Sequence, residues 1–201
     1  MLSYDSFGPS RPVVLVPYRA AWREEFAELA QRIRAVVGPA VTRIDHIGST
    51  AVPGLRAKDV IDVQLTVPEL PAAATRLQPL WAAGFQQGRS WQYDVYHPLP
   101  ADSPELRKLY MREPAGERRV HMHIREAGRF NARYALLFRD YLRANAPARA
   151  EYELLKRRAA GLFPASIDGY LYLKEPVFHL VYQAAALWAE QVSWQLPPAD
   201  A

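Results

Sequence analysis

The turn at Gly48 and Ser49, placed between two predicted strands, constrains the fold more than any other feature of the sequence. Residues 41–47 and 60–67 are rich in valine, isoleucine and leucine, and the glycine and serine that follow the first run favour a tight turn. Asp62 lies inside the second run, where a carboxylate is costly unless it is paired, hydrogen-bonded or bound to a metal. This stretch therefore predicts a binding site as well as a fold.

Composition excludes several classes of protein. The chain has 201 residues, half of them apolar, which suits one domain over residues 1–201. Cysteine is absent, so disulfides and zinc–thiolate sites are excluded. No apolar run reaches the roughly 18 residues of a membrane span, and the first residues lack the pattern of a signal peptide. We therefore expect a cytoplasmic protein without a membrane partner. The net charge is +4, and the basic residues are interspersed along the chain instead of forming a cluster. A nucleic-acid partner is therefore not expected.

Hydrophobic periodicity assigns helices and strands to most of the chain. Strands are predicted at residues 13–16, 41–47, 60–67, 91–96 and 120–124, with a shorter one near 109–111. Helices are predicted at residues 18–37 and 69–83, and three more within residues 128–191, around 134–142, 152–160 and 175–191. This order predicts an α+β fold, with a mixed β-sheet, helices on it and a C-terminal helical layer.

Three details of this assignment can be checked directly. The run at residues 60–67 is apolar on both faces, which predicts a central strand beside residues 41–47. Pro176 is expected in the first turn of the last helix, where a missing N–H costs nothing. The tail at residues 197–201, which contains two prolines, is expected to fray.

The turn itself has the groups needed to hold a phosphate. Glycine lets the backbone approach a ligand closely, and the N–H groups of the turn with the hydroxyls of Ser49 and Thr50 can cradle phosphate oxygens. Lys58, a few residues later, adds positive charge. We predict that Gly48, Ser49, Thr50 and Lys58 bind phosphate. The alternative is an ordinary turn in which Ser49 or Thr50 only caps the backbone.

The strand after the turn offers a place for a divalent metal. Asp62 and Gln64 lie on one face of this strand because side chains alternate with a period of two. A carboxylate suits Mg²⁺ or Mn²⁺, which take carboxylate, water and phosphate oxygens together. We therefore predict a divalent metal at Asp62, and a nucleotide or another phosphorylated small molecule as the ligand.

His121 and His123 predict an alternative metal site. Their spacing puts both imidazoles on one face of a strand. If that strand lies beside the one that carries Asp62 and Gln64, the four side chains face a single cavity, and two histidines with one carboxylate favour a transition metal such as Mn, Fe or Zn. The alternative is that both histidines bind phosphate or only hydrogen-bond to neighbouring groups.

These residues also resemble a known family. Residues 46–55, with Lys58 and residues 61–62, resemble the GrpB family, and the resemblance continues over residues 12–190. Further matching segments are residues 119–124, 136–143, 151–156 and 172–174. The resemblance implies a nucleotidyltransferase-like fold. A related domain occurs fused to dephospho-coenzyme A kinase, which implies a link to nucleotide or coenzyme A metabolism.

The sequence departs from an active nucleotidyltransferase at one position. The resemblance implies that Asp62 and Gln64 hold the catalytic positions, but the usual pair is two carboxylates that hold two magnesium ions. An amide can ligate a metal but brings no negative charge. Three functions follow as hypotheses: a nucleotidyl transferase, a non-catalytic nucleotide-binding module, and a metal-dependent enzyme that uses His121, His123 and Asp62 for other chemistry. The acceptor substrate, the metal and the oligomeric state are left open.

Overall fold

The computed structural model describes residues 7–88 and 92–201. Its strands are β1 (Arg43–Ile47), β2 (Ile61–Val67), β3 (Gln86–Gln87), β4 (Lys108–Arg112) and β5 (Val120–Glu126). Its helices are α1 (Ala21–Val37), α2 (Leu70–Arg76), α3 (Gln78–Ala82), α4 (Phe130–Ala144), α5 (Ala146–Leu162) and α6 (Ile167–Gln191). Among these described helices, none combines the length and the apolar content that crossing a membrane requires.

The strands form one mixed sheet in the order β1-β2-β5-β4-β3. β2 and β5 run parallel, and the other neighbouring pairs are antiparallel. β2 is an internal strand between β1 and β5, and Asp62 is its one residue that is not buried. The predicted position of this strand, internal and next to β1, is therefore confirmed, as is the α+β class with its mixed sheet.

The alternation of side chains gives the sheet two different faces. The odd-numbered residues of β2 and the even-numbered apolar residues of β5 join α1, α2 and α3 in one hydrophobic core. The opposite face carries polar side chains and looks towards the C-terminal helices. α4, α5 and α6 pack on one another there and contribute most of the apolar residues of two further clusters. The predicted C-terminal helical layer is thus present, and it covers the polar face of the sheet.

Two predicted strands are wrong. Residues 13–16 form no strand, and only Val16 makes a single bridge, to Ala57. In the predicted strand 91–96, Trp91 lies outside the described residues and only Tyr93 forms a bridge, to Arg107. Apolar β-branched residues are not enough in either place, because no neighbouring strand continues the ladder of hydrogen bonds.

Two predicted helices have different limits. The helix expected at residues 69–83 is broken at Leu77 into α2 and α3, since Pro79 lies in the first turn of α3 and has no N–H to continue the preceding helix. α6 begins at Ile167 rather than near residue 175. The Ser166 side chain caps it by accepting a hydrogen bond from the Gly169 N–H. Pro176 therefore lies inside α6, not in its first turn.

The C-terminal tail does not fray. The backbone of Ala201 exchanges two hydrogen bonds with Ile44 at the edge of β1. The Asp200 carboxylate accepts hydrogen bonds from the His46 backbone N–H, at 2.9 Å, and from Arg139, at 2.8 Å. These bonds satisfy the open edge of β1, which sequence periodicity could not reveal.

Candidate functional site

A cavity of about 580 Å³ lies between the polar face of the sheet and the helical layer. One end is formed by the turn at Gly48 and Ser49, together with charged side chains from β2, β4 and β5. The other end is formed largely by aromatic side chains. The cavity brings together Gly48, Ser49, Thr50, Lys58, Asp62, His121 and His123, which the sequence predicted as site residues, while Gln64 does not line it.

Gly48 fixes the distance between the turn and Asp62. Its φ angle is +70° and its ψ angle −170°, a conformation that is essentially restricted to glycine. A Cβ atom at this position would lie 2.9 Å from both Cβ and Cγ of Asp62, and closer still to its Oδ2 atom. The backbone of the turn therefore packs directly on the carboxylate, as a site built on both residues requires.

The two hydroxyls of the turn differ. The Thr50 hydroxyl is buried, lies 3.0 Å from Nε2 of His46 and donates to the carbonyl of Val60 at 3.2 Å, so it is used within the protein. The Ser49 hydroxyl instead accepts a hydrogen bond, at 3.1 Å, from the Nζ atom of Lys156 on α5. Of the two, Ser49 has the environment expected of a phosphate-binding residue.

Three lysine amines converge near the turn. Lys156 donates to Ser49 and to the carbonyl of Arg56. Lys58 lies with its Nζ atom 5.6 Å from the ring centroid of Tyr170, and Lys174 lies 5.7 Å from the same centroid. Among the described residues, neither Lys58 nor Lys174 has a side-chain hydrogen bond or an ion pair. Near the turn these three amines therefore have few anionic partners, chiefly Asp62 and, for Lys156, Glu153.

Burial shifts the titration of all three amines. It lowers the pKa of Lys58 to about 8 and that of Lys156 to about 7. The pKa of Lys174 falls well below its usual value because of burial first and the charges of Lys58 and Lys156 second. Removing an amine from water disfavours its charged form, and neighbouring like charges add to this effect.

Asp62 is the anion of this group. Its Oδ1 atom lies 3.2 Å from Nδ1 of His121 on the neighbouring strand β5. Burial acts to raise the pKa of Asp62. The hydrogen bond and charge of His121, with the charges of His123 and Lys58, outweigh burial and lower it to about 2. The carboxylate is therefore ionised at neutral pH.

The His123 side chain contacts a lysine on the neighbouring strand β4. Its Nδ1 atom lies 3.3 Å from Nζ of Lys108 on β4. Burial first, and then the charges of Lys108 and Arg125, lower its pKa well below the usual value. In residues 7–88 and 92–201, no group of three or more histidine, cysteine or acidic side chains is arranged to hold a metal ion. Both histidines lie on the predicted strand face and line the cavity together with Asp62, and a metal ion at these three residues stays a prediction.

Gln64 is fully buried and its side chain is occupied at both ends. Its Oε1 atom accepts a hydrogen bond from Arg125 at 2.7 Å, and its Nε2 atom donates to the carbonyl of Ala132 at 3.0 Å. It therefore has no free oxygen directed at the cavity. Gln64 thus links the sheet to α4, and its predicted catalytic role stays a prediction.

A second carboxylate lines the cavity, and the sequence analysis missed it. Asp94 accepts hydrogen bonds from Lys108 at 2.5 Å, from Arg125 at 2.8 Å and from Asn131 at 3.1 Å. Burial opposes its ionisation, but the charges of Arg125 and Lys108 hold its pKa far below the usual range. Asp94 is thus already neutralised by cations of the protein.

The lysines on α5 and α6 were also missed, although the sequence contained a signal. The chain has only four lysines, at positions 58, 108, 156 and 174, in a sequence rich in arginine. All four line the cavity. A residue type that is rare in the chain and concentrated in one place is informative, but this concentration becomes visible only after folding.

The far end of the cavity is aromatic. The rings of Tyr96 and Phe130 lie 4.5 Å apart between centroids, and those of Phe130 and Tyr134 5.6 Å apart. Phe138 and Phe178 continue this wall towards the lysines, with Lys174 placed 4.4 Å from the Phe178 centroid. The cavity therefore has one cationic end and one flat, apolar end.

Comparisons with known proteins agree with the resemblance found in the sequence. A profile of the GrpB protein family matches residues 12–184. A dephospho-CoA kinase of Mycolicibacterium paratuberculosis is 37% identical over 198 residues, covering 92% of this chain and 48% of that protein. The UPF0157 protein YqkA of Bacillus subtilis is 31% identical over 188 residues, covering 94% of this chain and 51% of that protein.

Among solved structures, the conserved protein GrpB from Enterococcus faecalis aligns with a TM-score of 0.71 and 27% identity, over 87% of this chain and 99% of that one. The chain spans about half the length of the mycobacterial relatives that it matches. The profile match covers the turn, the sheet and the helices that carry the lysines. The chain belongs to the GrpB family.

Proposed function

We propose that the cavity binds a nucleotide or a closely related phosphorylated ligand. The observation that carries this proposal is the convergence of Lys58, Lys156 and Lys174 on the turn at Gly48 and Ser49. The phosphates would lie against the turn and the amines, and the rest of the ligand against the aromatic wall.

The charge balance near the turn supports an anionic ligand. The three amines outnumber the carboxylates that act on them, which are Asp62 and, beside Lys156, Glu153. Protonated amines in one cavity repel one another, and the repulsion grows as their separation falls. A polyanion between the amines converts this repulsion into attraction, and it would restore their pKa values towards the ordinary value for lysine.

The shape of the cavity supports a ligand with a flat group. Its volume of about 580 Å³ lies within the range of ordinary small-molecule sites, roughly 300–1,000 Å³. The rings of Tyr96, Phe130 and Tyr134 offer apolar surface at the end away from the lysines. Stacking of a base on an aromatic side chain contributes about 1–3 kcal/mol. A nucleotide has both the phosphates and the base that such a cavity would accommodate.

The side chains favour a protein that binds a nucleotide without transferring a nucleotidyl group. Transfer by two metal ions needs carboxylates that hold both ions. Gln64 is engaged with Arg125 and Ala132, and Asp94 is engaged with Lys108, Arg125 and Asn131. These residues do not fit a two-ion site. Binding of a single Mg²⁺ or Mn²⁺ to Asp62, beside the turn, stays a prediction.

Nucleotidyl transfer is the second candidate, and one observation favours it. Asp62 is ionised and lies directly against the turn, where a transferred phosphoryl group would be held. Release of pyrophosphate from a nucleoside triphosphate, measured across a panel of acceptors, tests this candidate separately from binding.

The binding proposal is tested by thermal unfolding. We expect ATP or dephospho-CoA, added at 100 times its dissociation constant, to stabilise the protein by about 2.7 kcal/mol. For a chain of this size that corresponds to a rise in melting temperature of about 5–10 °C. Each ligand is measured in EDTA, in Mg²⁺ and in Mn²⁺.

Matched variants link the effect to the cavity. Lys58→Met and Lys174→Met should reduce the rise in melting temperature, because each removes an amine but keeps a side chain of similar length. Arg157→Met is the control, since Arg157 is an exposed cation on α5 that does not line the cavity. If no nucleotide raises the melting temperature under any of the three conditions, the proposal is wrong.

A further inference from the structure

We infer that the cavity takes its phosphorylated ligand as the free anion, with lysine amines in the place of a divalent metal ion. The inference rests on the proposed function, that this cavity binds phosphates. It goes further because it names the ionic form of the ligand and reverses the metal requirement expected from the sequence.

The first reason is that the metal-ligand positions of the strands are occupied. On β2, the Oε1 atom of Gln64 accepts from Arg125, and the same guanidinium donates to Asp94. A fixed cation of the protein thus lies between the two groups that would hold a second ion. Asp94 also accepts from Lys108, which satisfies its other oxygen.

The second reason is that Asp62 alone is a poor metal site. One of its oxygens is held by His121, at 3.2 Å, and the other lies against the backbone of Gly48. Mg²⁺ demands near-octahedral geometry and is usually held by one or two carboxylates plus phosphates. Beside Asp62, an incoming divalent ion would also meet the positive charge of Lys58.

The third reason is that the lysine amines lie where they can neutralise the charge of the phosphates. Lys58 follows the turn, Lys156 comes from α5, and Lys174 comes from α6, so cations reach the phosphate region from three separate elements. Lys156 already donates to Ser49, the residue expected to bind phosphate. Hydrogen bonds from amines to phosphate oxygens are charge-assisted and therefore strong.

A magnesium complex of the same ligand would bind less well. Chelation removes two negative charges from the phosphates, and these are the charges that attract the three amines. A loss of about 1.4 kcal/mol in this attraction is a tenfold change in affinity. We therefore expect binding in EDTA to be about tenfold tighter than in saturating Mg²⁺.

Isothermal titration calorimetry of the full chain tests the inference. The probes are inorganic tripolyphosphate and ATP, each titrated in EDTA and in excess MgCl₂ at matched ionic strength. Tighter binding in EDTA than in Mg²⁺ supports the inference. Equal binding, or tighter binding in Mg²⁺, overturns it and leaves the proposed function intact, whereas no binding in either buffer overturns the proposed function itself.

The variant Asp62→Asn distinguishes a ligand bound through a metal ion at Asp62 from one neutralised by the lysine amines. If Asp62 holds a metal, the substitution should abolish binding in Mg²⁺. If the amines neutralise the ligand, removing this negative charge should leave the affinity unchanged or raise it. Asparagine is nearly isosteric with aspartate, and a cooperative unfolding transition will show that the variant is folded. Lys174→Met should weaken binding in EDTA, while Arg157→Met should not. Loss of binding in Asp62→Asn, or an unchanged affinity in Lys174→Met, would overturn the inference.

Discussion

Replacing Gly48 with alanine should cost far more stability than replacing another glycine that also has a positive φ angle. The added Cβ would lie 2.9 Å from Cβ and Cγ of Asp62, and nearer to Oδ2, so the carboxylate must move. The backbone conformation itself costs an L-residue about 1–3 kcal/mol. Moving Asp62 also sacrifices its charge-assisted hydrogen bond with His121, worth about 1.5–3 kcal/mol. We therefore expect Gly48→Ala to destabilise the protein by about 3–5 kcal/mol.

Gly54→Ala provides the matched control. Gly54 has a φ angle of +79°, but a Cβ there would meet no atom within 4 Å. Its substitution should cost only the conformational strain, about 1–2 kcal/mol. Urea unfolding with an unchanged m value measures both free energies. The difference between the two variants isolates the contact with Asp62.

A double-mutant cycle with Asp62→Ala completes this test. Truncating Asp62 to alanine removes its Cγ and Oδ2 atoms, two of the three atoms nearest to the new Cβ, so part of the cost of Gly48→Ala should disappear in the double variant. Equal losses in Gly48→Ala and Gly54→Ala, or strict additivity in the cycle, would refute the close packing of the turn on the carboxylate.

Three other predictions concern the charged groups. Burial lowers the pKa of Lys156 to about 7 and that of Lys58 to about 8, against 10.5 for a free lysine side chain. Above these values the unfolded chain binds more protons than the folded protein, so the free energy of unfolding should rise from about pH 7 to pH 9. The affinity for phosphates should fall over the same range, because the amines lose their charge. Urea midpoints over this range check the rise, which Lys156→Met should flatten; a midpoint that falls would contradict it. Gln64→Glu should cost about 1–3 kcal/mol, because a carboxylate oxygen would face the Ala132 carbonyl, and calorimetry with MgCl₂ should show no gain of metal binding. Asp200→Ala should cost about 1–3 kcal/mol in urea unfolding through the bonds to His46 and Arg139, whereas a neutral result would mean that the tail does not hold the edge of β1 in solution.

The sequence by itself determined the local geometry around the turn. Alternation along residues 60–67 placed Asp62 on a face of its own strand and made that strand internal, because burial on both sides needs apolar residues on both sides. The same periodicity put His121 and His123 on one face of β5. The glycine and serine at positions 48 and 49 predicted the tight turn that follows β1. All of these are properties of a few neighbouring residues, so the pattern alone is enough.

Predictions from the local sequence pattern were wrong where residues from elsewhere in the chain determine the structure. Residues 13–16 have strand-like side chains but no neighbouring strand to complete a ladder. The last helix starts at Ile167, not near residue 175, because Ser166 caps it and buried residues such as Tyr170 extend its contacts. The tail was expected to fray, and it is instead held by Arg139 and β1.

Only the tertiary structure decided what the site contains. Lys156 is 107 positions from Ser49, yet its amine donates to that hydroxyl. The sequence predicts Gln64 as a substitute metal ligand, but Arg125, 61 positions away, donates a hydrogen bond to its side-chain oxygen. His123 lies on the predicted face, but its ring faces Lys108. Electrostatic and hydrogen-bonding partners depend on distances in space, which no short-range periodicity encodes.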